Sequence, residues 1–369
     1  MSGKPRIAVL YGGRSGEHDV SLCSAASVYL AIDTDRYEVG VVGIDRDGRW
    51  YYQEKPEVVE QKDFGRILSI KKRGHWLVNH YEDKNKLVLF DIENNRKELF
   101  DIVFPVLHGT FCEDGTLQGL LELAMVPYVG ADVIGSAVGM DKDVAKRLLR
   151  EGGVPVVPGE TVFRSQWKDN PAQIVENLGK SLQYPLFLKP ANAGSSVGIR
   201  KVKSEAQIQD ALEFCFEYDV KILAEKAFDC REIECAVMGN QDPKASIPGE
   251  VIPRHEFYSY EAKYIDPEGA DLKIPALLDE DLTDEIRQTA VKAYRLLCCS
   301  GMARVEFFLE KGSRKYYLNE INTLPGFTSI SMYPKLWEHT GISYKELINR
   351  LIELALQRHR DKTSLKTSI

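Results

Sequence analysis

The sequence predicts a mixed α/β fold that opens with a parallel sheet. Two short apolar segments, 6–11 and 37–44, flank a helical pattern at 20–32, which is the strand-helix-strand order of parallel sheets. A third apolar segment at 101–107 again ends in a polar loop that contains glycine. Strand and helix patterns alternate through the rest of the chain, and an amphipathic helix at 343–358 closes it.

The composition is that of a globular protein with more than one domain. A chain of 369 residues can form two or three domains, and its 44% hydrophobic and 28% charged content is ordinary for soluble proteins. The net charge of -7 argues against nucleic acid as the main partner. No stretch approaches the roughly 20 apolar residues of a membrane span, and no secretory signal is visible. We therefore expect no membrane partner and a cytoplasmic location. The seven cysteines are scattered without a Cys-x-x-Cys pair, so we expect reduced thiols.

The loops after the first and third apolar strands are candidate sites, because parallel sheets bind ligands at these strand ends. The first loop contains Glu17, His18 and Asp19 just before a helix, and its glycines lack the spacing of the dinucleotide fingerprint. Asp19 or Ser21 is expected to cap that helix, which accounts less well for Glu17 and His18. The loop at His108 should lie on the same face, with a purely structural histidine as the alternative.

Three later segments have features of ligand-binding loops. A predicted strand at 184–190 carries Lys189 and leads into a small-residue loop at 191–198, where backbone N–H groups can approach a phosphate. An ordinary flexible turn is the alternative. The long aromatic loop at 255–270 is typical of a lid. The Gly/Ser/Thr turn at 323–331 enters a helix and offers N–H donors for an oxyanion.

A β-hairpin is predicted at 302–322, with its turn centred on Ser313. In that register Glu306 lies opposite Glu320, and Arg304 lies opposite Asn322, so all four side chains share one face. Facing carboxylates repel unless a cation lies between them. Hard oxygen ligands suit Mg²⁺ bound together with a phosphate, which predicts a magnesium–nucleotide site. The alternative is a solvated hairpin face with a surface ion pair.

Taken in order, these patterns resemble the D-alanine–D-alanine ligases of the ATP-grasp superfamily along nearly the whole chain. Each short pattern is weak alone, and their shared order makes the resemblance specific. The matching patterns are Gly12-Gly13-x-Ser15-x-Glu17-His18, His108-Gly109 with Glu113-Asp114-Gly115, Met140-Asp141-Lys142, Lys189-Pro190, Gly194-Ser195-Ser196-Val197-Gly198, Glu225-Lys226, Glu261-Ala262-Lys263-Tyr264, Arg304-Val305-Glu306 and Asn319-Glu320-x-Asn322.

The resemblance implies an ATP-grasp fold with an N-terminal parallel α/β domain and two ATP-grasp subdomains. We place the substrate-binding α/β domain at 1–130, the central subdomain at 131–226, and the C-terminal subdomain with lid and metal site at 227–369. The implied reaction joins two D-alanines through an acyl phosphate, with ATP converted to ADP and phosphate, to make a peptidoglycan precursor. It implies two divalent ions, Mg²⁺ or Mn²⁺, and a homodimer, and it leaves activation by K⁺ open.

The resemblance also implies roles for individual residues. The metal ions would be held by Glu306, Glu320 and Asn322. ATP would be bound by Lys142, Lys189, Ser195, Ser196, Glu225, Lys226, Ala227, Phe228 and Glu232. The two D-alanines would be bound by Glu17, His108, Lys263, Tyr264, Gly326, Ser331 and Met332. Direct roles in catalysis would fall to Glu17, Ser195, Tyr264, Arg304 and Ser331.

Departures from the family pattern are few. Glu306 stands where many relatives have aspartate, Ile330 where some have histidine, and Phe111 and Cys112 vary a glycine-rich loop. A D-alanine–D-lactate ligase is the nearest alternative, and the intact Tyr264 argues against it. A nucleotide-dependent oxidoreductase would need the missing glycine fingerprint, and a non-catalytic ATP-binding regulator should have lost a metal ligand or the arginine. Residues 48–100 are weakly patterned, and we assign them no chemistry.

Overall fold

The computed structural model describes residues 3–62, 64–79, 85–194, 196–254 and 269–366. Within these ranges the chain forms three main sheets with helices packed against them. Most of the predicted lid lies outside the described residues. Ser195, Lys263 and Tyr264 also lie outside them, so their predicted roles remain predictions.

The first sheet has seven strands in the order β8-β7-β6-β3-β2-β1-β9. The strands are β1 (Arg6–Gly12), β2 (Glu38–Ile44), β3 (Trp50–Gln53), β6 (Trp76–Asn79), β7 (Leu87–Asp91), β8 (Arg96–Phe100) and β9 (Ile102–Leu107), and a separate hairpin pairs β4 (Val58–Gln61) with β5 (Gly65–Leu68). β1 pairs in parallel with β2 and β9, which confirms the predicted parallel core. The weakly patterned region widens that core with antiparallel strands, so the sheet as a whole is mixed.

The first helices along the chain precede the second sheet in the sequence. They are α1 (His18–Ala31), α2 (Thr116–Leu123), α3 (Val133–Met140) and α4 (Lys142–Glu151). α3 ends at Met140, and α4 begins two residues later. Asp141 separates them in an extended conformation, and its side chain accepts a hydrogen bond from the Val144 N–H at 3.0 Å. This cap fixes the start of α4, where Lys142 lies.

The second sheet is antiparallel, with strands in the order β10-β13-β11-β12. Its elements are β10 (Gly159–Phe163), α5 (Arg164–Asp169), α6 (Pro171–Leu182), β11 (Leu186–Pro190), β12 (Arg200–Val202), a 3₁₀ turn (Glu205–Gln207), α7 (Ile208–Cys215) and β13 (Lys221–Lys226). A separate core of buried side chains between residues 162 and 224 packs the helices on one face. The small-residue loop between β11 and β12 lies at the edge of this sheet.

The third sheet carries the predicted hairpin. Its elements are β14 (Cys230–Gly239), β15 (Lys244–Ala245), β16 (Gly249–Pro253), β17 (Ala270–Lys273), α8 (Glu280–Leu296), β18 (Gly301–Glu310), β19 (Tyr316–Asn322), α9 (Met332–His339) and α10 (Tyr344–Thr363). The main path of the sheet is β17-β16-β14-β18-β19, and β15 pairs with β14. β18 and β19 pair antiparallel, as predicted.

The largest core joins the first and third sheets. It combines side chains of β1, β9 and α1 with those of α9 and α10, including the buried Phe104, Trp337 and Leu351. This core joins side chains of the first and third predicted domains. The division into three domains stays a prediction. Among the described residues, no helix is both long and apolar enough to span a membrane.

Candidate active site

The loop after β1 is shaped by glycine and by buried hydrogen bonds. Gly12 has φ +91°, and a Cβ there would lie 2.2 Å from the carbonyl oxygen of Ile44, so only glycine fits. The Gly12 N–H donates to Ser21 Oγ at 2.7 Å, and His18 Nδ1 bonds the Gly13 carbonyl at 2.7 Å. His18 is therefore structural. The expected cap at Asp19 is wrong, because Asp19 lies inside the first turn of α1 and pairs with Arg46.

This loop presents Glu17 beside two other loops. The Glu17 side chain is buried, and a Cβ added to either Gly109 or Gly194 would lie 2.9 Å from its Oε2. Ser15 Oγ donates to the His108 carbonyl at 2.5 Å and accepts the Glu17 N–H at 3.2 Å. The predicted meeting of the Glu17 and His108 loops is thus present in the structure, and the Gly194 loop joins them.

His108 and Glu113 form a buried pair next to Glu17. His108 Nδ1 lies 3.7 Å from Glu113 Oε1 and 3.1 Å from the Leu324 carbonyl. Burial lowers the pKa of His108, but Glu113 and the charge of Glu17 outweigh it, so the net pKa is raised. Burial raises the pKa of Glu113, and the His108 contact offsets only part of this rise. Sequence analysis did not assign Glu113 a role, although it lies in the same matched pattern as His108.

The hairpin has the predicted register at its functional end. Arg304 pairs with Asn322 and Glu306 with Glu320, whereas Phe307 pairs with Leu318, which leaves Asn319 as an extra residue in a β-bulge. Asn319 Nδ2 donates to Glu306 Oε1 at 2.8 Å. Sequence analysis quoted Asn319 in a pattern but gave it no function.

Two basic groups at this patch, Lys142 and Arg304, each contact a carboxylate. Lys142 Nζ lies 3.5 Å from Glu320 Oε2 and donates to the Ala193 carbonyl at 2.7 Å. Arg304 Nε lies 3.1 Å from Glu234 Oε2, a buried carboxylate on the neighbouring strand. The predicted surface-ion-pair alternative is thus wrong, since Glu306 and Glu234 are both buried.

A small cavity, called here the inner cavity, collects residues from all three parts of the chain. Its lining is Glu17, Glu113, Gly139, Met140, Lys142, Ala193, Gly194, Arg304, Glu320, Ile321, Asn322 and Thr323. Glu306 is not in this lining, and its Oε1 accepts the hydrogen bond from Asn319. The inner cavity therefore places a buried carboxylate of the first loop opposite the basic and acidic groups of the hairpin.

A second cavity of about 590 Å³, called here the outer cavity, lies between the second and third sheets. Of the residues expected to bind ATP, it is lined by Lys189, Glu225, Lys226, Ala227, Phe228 and Glu232. The N–H groups of Lys226 and Ala227 already donate to the Pro158 and Pro185 carbonyls. Backbone hydrogen bonds between these two residues and a ligand would therefore use their carbonyl oxygens. Ser196 lies in the small-residue loop and lines neither cavity.

The carboxylate of Glu225, which lines the outer cavity, contacts two lysines. Lys189 Nζ lies 2.7 Å from Glu225 Oε2, and Lys146 Nζ contacts Glu225 Oε1. Burial lowers the pKa of Lys189 to about 8, although Glu320 and Glu306 partly oppose this, and burial lowers the pKa of Lys146 well below its ordinary value. Lys146 was missed from the sequence. Its position four residues after Lys142, on the same helix face, was the available signal.

The turn after the hairpin is held by its own side chains. The Thr328 N–H donates to Ser331 Oγ at 3.0 Å, and the Phe327 N–H donates to Ser24 Oγ at 3.2 Å. Ser24 Oγ also lies 3.4 Å from Nε2 of His108, so α1, the His108 loop and this turn are connected. Gly326, Ser331 and Met332 line neither cavity, and Thr323 is the residue of the turn that reaches the inner one.

The donor set fits divalent metal held together with phosphate rather than metal held by protein alone. Among the described residues, no three His, Cys, Asp or Glu side chains cluster as a metal site. Two facing glutamates and the amide of Asn322 supply hard oxygens only. Mg²⁺ commonly takes one or two carboxylates and completes its shell with water and substrate phosphates, so these residues fit it.

Comparison with known proteins gives full-length matches. The family model described as D-ala D-ala ligase N-terminus matches residues 6–131, and the C-terminus model matches residues 148–353. The D-alanine–D-alanine ligase of Oceanobacillus iheyensis is 46% identical over 366 residues, covering 99% of each chain. D-alanine–D-alanine ligase A of Escherichia coli is 45% identical over 368 residues, covering 99% of this chain and all of that one.

Solved structures of ligases are similar to this chain over nearly its whole length. The D-alanine-D-alanine ligase from Coxiella burnetii has a TM-score of 0.80 at 37% identity, with 98% of each chain covered. The VanG D-Ala:D-Ser ligase from Enterococcus faecalis has a TM-score of 0.81 at 33% identity, covering 96% of this chain and 100% of that one. These likenesses confirm the predicted ATP-grasp fold with its N-terminal domain. The chain belongs to the D-alanine–D-alanine ligase family.

Proposed function

We propose that this protein joins two D-alanines into D-alanyl-D-alanine and converts ATP to ADP and phosphate. The family membership supports this activity, and the inner cavity is the observation that carries it. There, Glu17 offers a carboxylate for an ammonium group, while Lys142, Arg304 and the hairpin carboxylates offer a place for phosphate and metal. The product is a precursor of peptidoglycan.

ATP is proposed to bind in the outer cavity with its phosphates directed to the inner one. Phe228 and Phe308 line the outer cavity as an apolar surface for adenine, and Glu232 is assigned to the ribose. Glu225 is assigned to the adenine amino group. Each carboxylate oxygen has two acceptor positions, so contact with Lys146 and Lys189 does not exclude that bond.

Divalent metal would be held by Glu306, Glu320 and Asn322, and we propose Mg²⁺ or Mn²⁺, two ions in all. Bound there, the metal would neutralise charge on the phosphates and on the facing carboxylates. Lys142 and Lys189 would bind phosphate oxygens from the side of the second sheet. The main obstacle to the reaction is repulsion between a carboxylate and a triphosphate, and these cations would reduce it.

In the first step, a carboxylate oxygen of the first D-alanine attacks the γ-phosphorus. The bond between that phosphorus and the β–γ bridging oxygen breaks, ADP leaves, and an acyl phosphate forms. Glu17 binds the ammonium group of this D-alanine, with His108 beside it, and so orients its carboxylate. Positioning of this kind and electrostatic stabilisation are the main contributions of a protein to phosphoryl transfer.

In the second step, the amine of the second D-alanine attacks the carbonyl carbon of the acyl phosphate. A tetrahedral intermediate forms, phosphate leaves with the bonding electron pair, and the new amide loses a proton to solvent. Arg304, oriented by Glu234 at 3.1 Å, and the N–H of Gly326 are assigned to the oxyanion. Ser331, Met332 at the first turn of α9, and Lys263 are assigned to the carboxylate of the second substrate.

The choice of second substrate is proposed from Tyr264 and the intact lid sequence, which lie outside the described residues. A homodimer and a cytoplasmic location are also proposed, supported by the family and by a reaction whose substrates are small and charged.

The function is tested by incubating the purified protein with Mg-ATP and D-alanine, L-alanine, or D-alanine with D-lactate, and following ADP release and product mass. Release of ADP with D-alanine alone, together with the dipeptide, is the expected result. A depsipeptide as main product would overturn the assigned second substrate, and no turnover with any mixture would overturn the reaction.

A further inference from the structure

The β-bulge at Asn319 changes which side chains of β19 face the ligand side of the hairpin. Strict alternation would send neighbouring residues to opposite faces of the sheet. Instead, Glu320 lies opposite Glu306, while its neighbour Asn319 also contacts Glu306. Bulges redirect side chains in this way. Two consecutive residues therefore lie next to Glu306, Glu320 by backbone pairing and Asn319 by its side chain.

The Asn319 amide connects a cation of one sheet with an anion of another. Its Nδ2 donates to Glu306 Oε1 at 2.8 Å, and its Oδ1 accepts from Lys189 Nζ at 3.0 Å. Only this orientation of the amide is consistent with both partners, because the reverse would set the donor group against an ammonium and the carbonyl against a carboxylate. All three side chains are at least nine-tenths buried, so water competes little for these bonds.

We propose that Asn319 is a positioning residue that fixes the carboxylate of Glu306 and so sets the affinity of the nucleotide complex for divalent metal. Glutamate has one more rotatable bond than aspartate, and holding Oε1 fixes the plane in which Oε2 is offered. The same amide accepts a bond from the Lys189 ammonium, which lines the outer cavity and is also held there by Glu225 at 2.7 Å. Outer-shell partners of this kind typically change metal affinity about 10–100-fold when they are removed. This inference rests on the proposed function for the metal ligands.

The test is Mn²⁺ binding to the protein–ADP complex, measured from the signal of free Mn²⁺ in electron paramagnetic resonance. Asn319→Leu keeps the side-chain size and removes both bonds. We expect its Kd for Mn²⁺ to rise about 10-fold or more, while ADP binding without metal changes less than twofold. Adding Asn319→Leu to Glu306→Gln should change the Mn²⁺ Kd less than twofold, because the side chain that Asn319 positions is then no longer a carboxylate.

The matched control is Asn349→Leu, at a buried asparagine of α10 that lines neither cavity. It should leave the Mn²⁺ Kd unchanged. If Asn319→Leu lowers the melting temperature more than this control does, Asn319→Ser replaces it, since serine is too short to reach both partners.

A folded variant with a Mn²⁺ Kd within twofold of wild type would overturn the proposal. Equal losses of Mn²⁺ and of metal-free ADP would also overturn it, because Asn319 would then shape the nucleotide pocket. The measurement uses no D-alanine. A wild-type protein that binds Mn²⁺ with ADP but joins no D-alanine would therefore refute the proposed reaction and leave the comparison at Asn319 intact.

Discussion

Replacing Arg304 with alanine should separate catalysis from nucleotide binding. The guanidinium lies in the lining of the inner cavity and not in that of the outer one. If it stabilises negative charge that develops during the reaction, its loss should lower kcat about 10²–10³-fold, or ~2.7–4 kcal/mol. The Kd for ADP, measured by calorimetry, should change less than threefold.

The same substitution also has a structural cost that must be separated from the catalytic one. Arg304 is 17% exposed and its partner Glu234 is 5% exposed, so the pair is largely buried. Removing one member of a buried pair costs about 3–5 kcal/mol of folding free energy. Arg304→Met combined with Glu234→Gln removes both charges, and should recover much of the stability in a denaturant titration without recovering turnover.

Parallel losses of kcat and of ADP affinity in Arg304→Ala would show that the guanidinium acts in binding. Recovery of turnover in the paired variant would show that Arg304 is needed only to balance Glu234.

Further predictions concern Glu17, Leu351 and Lys189. Glu17→Gln should raise the KM for the first D-alanine about 10-fold or more, since a charged hydrogen bond contributes ~1.5–3 kcal/mol, and an unchanged KM in steady-state kinetics would reject the assigned ammonium site. Leu351→Ala, in the core between the first and third sheets, should lower the free energy of unfolding by about 2–5 kcal/mol, and a loss below ~1 kcal/mol in denaturant titration would reject that packing. Because the pKa of Lys189 is lowered to about 8, its charge is lost as pH rises through 8, so ADP affinity should weaken from pH 7 to 9 in wild type and stay flatter in Lys189→Met. The same shift means that the unfolded state binds more protons than the folded state between pH 8 and the ordinary lysine pKa, so this group makes stability increase with pH in that range.

The sequence predicted the hairpin well because a period-two pattern determines which residues face each other. Arg304, Glu306, Glu320 and Asn322 are paired as expected. The bulge at Asn319 was not predicted, because unbroken pairing was assumed. The inserted residue shifts the alternation of β19, so that Tyr316 and Leu318 before it and Ile321 after it belong to the same core. The period-two pattern predicted which residues of the hairpin face the site. The structure was needed to show that the neighbours Asn319 and Glu320 both lie next to Glu306.

Helix α3 was missed for a different reason. It contains Gly135 and Gly139, and glycine weakens a helical pattern by about 1 kcal/mol per residue. In the structure a Cβ at Gly135 would lie 2.8 Å from the Cys298 carbonyl, and one at Gly139 would lie 2.9 Å from Thr323. Close packing against the third sheet explains these glycines, and that packing is a tertiary effect with no local signature.

The lysines around the two cavities can exchange carboxylate partners for phosphate when ligands bind, provided that no buried charge is left unpaired. In the protein described here, Lys142 lies 3.5 Å from Glu320, and Lys189 lies between Glu225 and Asn319. A buried charge that lost its partner would be costly. Phosphate can displace Glu320 from Lys142 only if another cation compensates the hairpin carboxylates. Metal and nucleotide should therefore bind with positive coupling, because each provides the partner that the other displaces.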